Sequence, residues 1–394
     1  MNILFLSPWF PYPPENGSKI RIYNLIKSLS KRHEVRLISF VREGEHMDPE
    51  GLEGVCRLDA TIHWREFNPQ SWKSLVGYFR TTPRSVADTY SPQMAIQLQR
   101  SIVNECPDLI IASQVNTAIY GGRKWNIPCI FEEVELGFIS QNWSKVNTPI
   151  TKLRKQLYLA KAESFIRRLV KQYDACTVVS DRENELLSQA VDGNVSIHVV
   201  PNGVDLDYNQ PGIAIPKPYT LIYSGALTFN ANFDAMSYFL QDILPLIRAH
   251  VPEVTLKITG TIQGVDHTCL PLDDHVILSG FLPDIRPAVA EAWACVVPLR
   301  QAGGTRLKIL EAMALGTPVI ATRKAAEGLY VTPEKNILLA DTPDEFSSQT
   351  VRLLNDNQLR DELSKNGREL VEDNYGWDAI GSSLDQVIES VLND

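Results

Sequence analysis

The chain has 394 residues, more than one hydrophobic core usually serves, so two domains of roughly 200 residues each are expected. Its 44% hydrophobic and 22% charged residues exclude a disordered chain. The formal charge of −9 divides unevenly, with 24 Lys and Arg against 21 Asp and Glu up to residue 200 and 14 against 26 beyond it. The first half's excess suits an anionic partner or surface but is too weak for nucleic acid binding.

Residues 2–7 (NILFLS) form an apolar run, followed by the turn-rich loop PWFPYPPENGS and a helical pattern over 18–32. EVRLISFV (34–41) then reads as a second strand, and strand, helix, strand at this spacing is the signature of a parallel sheet. The rhythm continues with DLIIAS (108–113), PCIFEE (128–133), ACTVVS (175–180) and SIHVVP (196–201), with a long helical stretch over 149–173. Together these predict a doubly wound domain over 1–200. PNGVDLDYNQPGIAIPKP (201–218) has no sustained period and is expected to be a linker.

The pattern restarts over 219–376 with YTLIYSG (219–225), a helix near 231–249, VTLKITG (254–260), HVILSG (275–280), CVVPL (295–299), a helix over 305–315 and TPVIAT (317–322). The terminal helix, 377–394, fits either domain and could pack back onto the first. The six cysteines include no C-x-x-C pair and read as reduced residues. The N-terminus lacks a basic n-region, and no apolar run approaches the ~20 residues needed to span a bilayer, so a cytoplasmic protein is expected.

The most informative run is QAGGTRLKILEAMALGTPVIAT (301–322). Paired glycines, Gly303 and Gly304, stand with Thr305 at a helix start directly after a strand, where unpaired amides and the helix dipole attract phosphate. Arg306 and Lys308 add positive charge in the same turn. Lys308 and Glu311 share a helix face, while Leu307, Leu310 and Ala314 form an apolar stripe. Spacing alone fits a phosphate site and an ordinary Lys–Glu pair worth about 0.2–0.5 kcal/mol equally well.

This run resembles the nucleotide-sugar signature of family 4 of the retaining glycosyltransferases, which have the GT-B fold. PNGVD (201–205), YSGAL (223–227) and SGFLPDI (279–285) resemble other segments of that family, so the likeness covers nearly the whole chain. It implies an α/β protein of two Rossmann-like domains facing a cleft. The expected activity is sugar transfer, with retention, from a nucleotide diphosphate donor, first of all UDP-glucose or another UDP-hexose, to a hydroxyl acceptor in polysaccharide or glycoconjugate synthesis. The acceptor could include a lipid-linked glycan, and no metal or other cofactor is implied. By the same resemblance Glu311 would accept hydrogen bonds from the ribose hydroxyls, Phe281 and Leu282 would offer backbone groups to the base, and Gly225 and Gly17 would approach the diphosphate and the reacting region.

Two positions depart from the family pattern. Gly303 stands where the family usually has a second Glu, and Ala226 follows Gly225 where an Arg is common. Arg306 and Lys308 would restore the missing positive charge, neutralising the leaving diphosphate. On the acceptor side, FEEVELG (131–137) puts Glu132, Glu133 and Glu135 at a sheet edge. Glu132 or Glu135 could orient or deprotonate the acceptor, or the loop could simply be solvated and acidic. The stretch 151–172, with seven cations and one acid, fits either an anionic lipid surface or an ordinary solvated helix face. The alternatives to a transferase are a nucleotide-sugar 2-epimerase-like enzyme and a catalytically silent nucleotide-sugar-binding subunit, the missing Glu at Gly303 favouring the latter.

Overall fold

The computed structural model describes residues 1–134, 149–191, 195–301 and 307–393. It divides into two compact units, Met1–Asn202 with Ile380–Asp394, and Gly203–Ala379.

The first unit is a parallel sheet in the order β3-β2-β1-β4-β5-β6-β7. Its strands are β1 (Asn2–Ser7), β2 (Glu34–Val41), β3 (Arg57–His63), β4 (Leu109–Ser113), β5 (Cys129–Glu132), β6 (Ala175–Val178) and β7 (Ser196–Val199). β1, β4, β5 and β6 are buried almost throughout, which is why they read as unbroken apolar runs rather than alternating ones. β3 was not expected from the sequence. It is an edge strand, and Arg57, Thr61 and His63 of RLDATIH are exposed.

The order of the chain through the sheet reverses between β1 and β4, and the strand ends there open the crevice in which doubly wound folds place ligands. The helix Gly17–Leu29 covers one face with Ile22, Leu25, Ile26 and Leu29, all fully buried, and each such side chain is worth about 1.5–3 kcal/mol in transfer from water. The Asn16 side chain caps this helix, accepting from the Lys19 amide at 3.1 Å.

The helix Trp377–Asn393 joins this unit from Ile380 onward. Asp385 accepts from Arg32 Nη1 at 3.0 Å and lies 3.2 Å from His33 Nε2. Gly381 rests on Ser28 so closely that a Cβ would stand 1.7 Å from its hydroxyl oxygen. These contacts tie the chain's last segment to its first helix, at Ser28, and to the turn that follows it, at Arg32 and His33.

The second unit repeats the plan with a parallel sheet ordered β10-β9-β8-β11-β12-β13. Its strands are β8 (Thr220–Ser224), β9 (Thr255–Thr259), β10 (Val276–Gly280), β11 (Ala294–Val297), β12 (Val319–Ala321) and the two-residue β13 (Leu338–Leu339). The reversal lies between β8 and β11. The helix Leu307–Ala314 follows β11 and buries Ile309, Leu310, Ala312, Met313 and Ala314. The Lys308–Glu311 side is therefore the one left for chemistry.

Of the segment 201–218, expected to be a linker, residues 203–218 belong to the second unit and carry local order. Val204 pairs with Gly376, and the Asp205 carboxylate accepts from the Tyr208 amide at 2.8 Å, a turn contact. The buried thiols of Cys129 and Cys295 are pushed up to about 12 by desolvation, which keeps them protonated and unreactive.

Candidate active site

In the second unit the site is assembled where β8 and β9 end. Gly260, past the end of β9, has φ +107, and a Cβ there would lie 2.5 Å from the Ala226 amide nitrogen, so only glycine lets the two loops touch. Its own amide donates to Gly280 O at 2.8 Å, which aligns the loop after β10 beside the loop after β8. Three strand ends are thereby brought level.

Lys308 reaches over this floor from the first turn of its helix. A Cβ at Gly225 would stand 2.6 Å from Lys308 Nζ and 2.9 Å from Asn232 Nδ2, so the missing side chain is what admits the ammonium. Asn232 fixes the geometry. Its Oδ1 accepts from Tyr223 Oη at 2.7 Å and from Lys308 Nζ at 3.3 Å, while its Nδ2 donates to Ala226 O at 2.8 Å. The ammonium also sits 4.1 Å above the centre of the Tyr223 ring. A cation is thus held beside a side-chain-free stretch of backbone.

One helical turn further, Glu311 is recessed. Burial pushes its carboxyl above the ordinary range, and the Lys308 charge pulls it partly back. A carboxylate kept short of solvent is well suited to accept hydrogen bonds from sugar hydroxyls. Phe281 follows Gly280 and is exposed at the rim, while Leu282 packs on the core around β11 and the helix Leu307–Ala314. Gly303, Gly304, Thr305 and Arg306 lie outside the described residues.

In the first unit the corresponding strand ends enclose a cavity of about 280 Å³, whose lining includes Trp9, Ser18, Gln114, Glu133, Tyr158 and Phe165. Gln114 and Glu133 both have left-handed backbones, with φ of 60° and 59°, a conformation that side-chain-bearing residues adopt only under constraint from their surroundings. The two are joined. Gln114 Nε2 donates to Glu133 Oε2 at 2.8 Å and to Ser18 Oγ at 3.2 Å, and the Glu133 amide donates to Thr177 Oγ1 at 3.1 Å. Trp9 forms one wall, braced by the Arg42 guanidinium 3.8 Å from its ring centre.

Glu132 takes a different course, and the expectation that it faces an acceptor is corrected. Both Glu132 and Arg21 are buried, at 0% and 1% exposure, and Arg21 Nε donates to Glu132 Oε1 at 2.6 Å. Ser113 Oγ donates to the other carboxylate oxygen at 2.6 Å. The rest of the guanidinium donates to Val200 O at 2.9 Å, Pro201 O at 2.8 Å and Asn202 Oδ1 at 3.0 Å. Glu132 is the last residue of β5 and still points into the protein; Glu133, after the left-handed turn, points into the cavity. Glu135 lies outside the described residues.

The comparisons match this two-unit plan. Residues 15–208 match the family described as Glycosyltransferase Family 4, and residues 218–356 match Glycosyl transferases group 1. The chain belongs to glycosyltransferase family 4 and has the GT-B fold. It is 26% identical to MMP alpha-(1->4)-mannosyltransferase of Mycolicibacterium hassiacum over 57% of this chain and 56% of that one. It is 24% identical to N-acetyl-alpha-D-glucosaminyl L-malate synthase of Bacillus anthracis over 59% of this chain and 63% of that one. The chain therefore spans less than two thirds of these relatives' length. Among solved structures, sucrose-phosphate synthase from Thermosynechococcus elongatus superposes over 100% of both chains with a TM-score of 0.69 at 20% identity. Anabaena HepE in complex with UDP-glucose superposes over 99% of this chain and 100% of that one, with a TM-score of 0.65 at 17% identity. These last two show the fold.

Of the residues expected from its sequence, the chain brings Gly225 and Lys308 into contact and places Glu311 on the same helix face. Gly17 is the exposed first residue of its helix, beside the cavity-lining Ser18. Asn232, Tyr223 and Gly260 were not anticipated in the second unit, nor were Trp9, Ser18 and Gln114 in the first. Gly260 carried a signal, since it ends a strand as Gly225 does. Asn232 and Gln114 carried none, because their roles depend on partners far away in the chain.

Proposed function

We propose that this glycosyltransferase moves a hexose, with retention, from a UDP-sugar to a hydroxyl acceptor, without a metal. The observation that carries this reading is the Lys308 ammonium held by Asn232 against the bare backbone of Gly225. A diphosphate laid there would meet a fixed cation at the side where the family's usual Arg is replaced by Ala226. Charge accumulates on the diphosphate as the glycosidic bond breaks, and a cation already in place stabilises that change without reorganising. Arg306, by its position in the sequence, would supply a second charge, and Glu311 would hold the ribose.

The acceptor would enter the cavity of the first unit. Trp9 offers the flat apolar face that sugar rings stack on, and Glu133, oriented by Gln114, is placed to take or direct a hydroxyl proton. Glu133 replaces Glu132 in this role.

Calorimetric titration of UDP, GDP and ADP in the presence of a chelator, on the wild type and on Lys308→Ala and Arg306→Ala, tests the donor half. Binding of UDP that weakens about tenfold or more in each variant is the expected result. Undiminished binding in Lys308→Ala would remove the basis of the reading. Binding in wild type without slow hydrolysis of any UDP-hexose would favour a silent binding subunit.

A further inference from the structure

Between β3 and the helix Pro92–Glu105 lies a short helix, Trp72–Val76, whose amphipathy is the reverse of the usual surface helix. Its inner side is polar. Ser74 is fully buried, with Arg84 Nε donating to its carbonyl at 3.0 Å and Arg84 Nη2 to its hydroxyl at 2.9 Å. The buried Asp88 accepts from the Asn68 amide at 2.8 Å and from the Ser71 hydroxyl. From the helix Pro149–Val170, Lys161 Nζ donates to Gly77 O at 2.5 Å and Arg168 Nη2 to Thr81 O at 3.0 Å.

The outer side is apolar, with Trp72 73%, Leu75 51% and Phe79 95% exposed, and Phe67 and Tyr78 flanking them. The polar underside is already satisfied, so these side chains cannot turn inward without breaking it. Exposed apolar clusters of this size mark a surface that meets something. Lys73 and Arg80 are exposed in the same stretch, and no Asp or Glu occurs from Phe67 to Ala87.

We propose that segment 67–80 is a membrane-docking surface, seated on an anionic lipid bilayer. Trp72, Leu75 and Phe79 would enter the headgroup and upper acyl region, and Lys73 and Arg80 would pair with lipid phosphates. Interleaved aromatic and basic side chains without acids are the composition that such interfaces select. A second copy of the chain fits less well, because a two-fold contact would set Lys73 and Arg80 against their own images. In the basic stretch 151–172, which the sequence offered as a lipid contact, Lys161 and Arg168 serve this segment, and Leu157 is exposed. The stretch's apolar residues Ala162, Ile166, Leu169 and Val170 are buried, Arg167 pairs with Glu163 at 3.1 Å, and Lys161 and Arg168 hold the 77–81 backbone.

The test is cosedimentation of the full chain with vesicles of phosphatidylcholine alone and of phosphatidylcholine with about one third phosphatidylglycerol. Binding to the anionic vesicles is expected, falling about tenfold or more in Trp72→Ser/Phe79→Ser while thermal unfolding stays unchanged. Lys73→Glu/Arg80→Glu should lose the preference for anionic vesicles. Failure of the wild type to sediment with either vesicle overturns the proposal, as does equal binding by the aromatic variant. A fall in its melting temperature would mean that the side chains are covered within the protein. Light scattering that shows a wild-type dimer dissolved by the same variant would assign the patch to a second copy.

Discussion

Replacing Glu132 by Gln separates a structural carboxylate from a catalytic one. The substitution keeps the side chain's shape but leaves the Arg21 guanidinium, 1% exposed, without its counter-charge. Removing one partner of a buried pair costs about 3–5 kcal/mol. For a unit of this size about 2–4 °C of melting temperature accompanies each kcal/mol, so the transition of the first unit should fall by roughly 6–20 °C. Arg21→Met should be at least as damaging, because Val200 O, Pro201 O and Asn202 Oδ1 lose their donors along with Glu132. Arg21→Met/Glu132→Leu should recover part of the loss by removing both charges, though not the part owed to those oxygens. Scanning calorimetry of the full chain reads the shift, and donor hydrolysis measured below the lowered transition reads the chemistry. A Glu132→Gln protein that melts like the wild type but turns over about a hundredfold more slowly would refute the reasoning and return Glu132 to the reacting groups.

Glu133→Gln should behave in the opposite way, leaving melting within a few degrees of wild type while lowering transfer about a hundredfold or more, read by product formation with a competent acceptor. Gly260→Ala should destabilise the second unit by about 1–3 kcal/mol or more, because its Cβ would strike the Ala226 backbone and φ +107 is disfavoured; chemical denaturation checks it. The raised carboxyl of Glu311 predicts a pH dependence. As pH falls through its elevated value the ionised acceptor for the ribose hydroxyls is lost, so UDP-glucose, whose esterified diphosphate stays ionised, should bind progressively more weakly as that carboxylate takes up its proton. Glu311→Gln should lose that dependence and bind more weakly than the wild type on the side where Glu311 is ionised, which titration calorimetry across a pH series would show.

The sequence by itself determined the α/β alternation and the place of most strands, because a strand buried on both faces must be apolar along its whole length, as in LFLS, LIIAS and ACVV. It also marked the helix that begins at Leu307 and the glycine at 225, since a helix start with bare backbone beside it is a local feature. It did not reveal β3, an edge strand half open to water, or β13, which is two residues long. Which glutamate of the 132–133 pair meets a ligand was beyond it as well. That choice rests on one left-handed residue and on Arg21, 111 positions away, claiming the other carboxylate. The Asn232 clamp on Lys308 spans 76 positions, and the inverted Trp72–Val76 helix is polar inside only because Arg84, Asp88, Lys161 and Arg168 converge beneath it. Periodicity records which side of an element is apolar; which side is buried, and what the polar groups meet there, is decided when distant segments fold together.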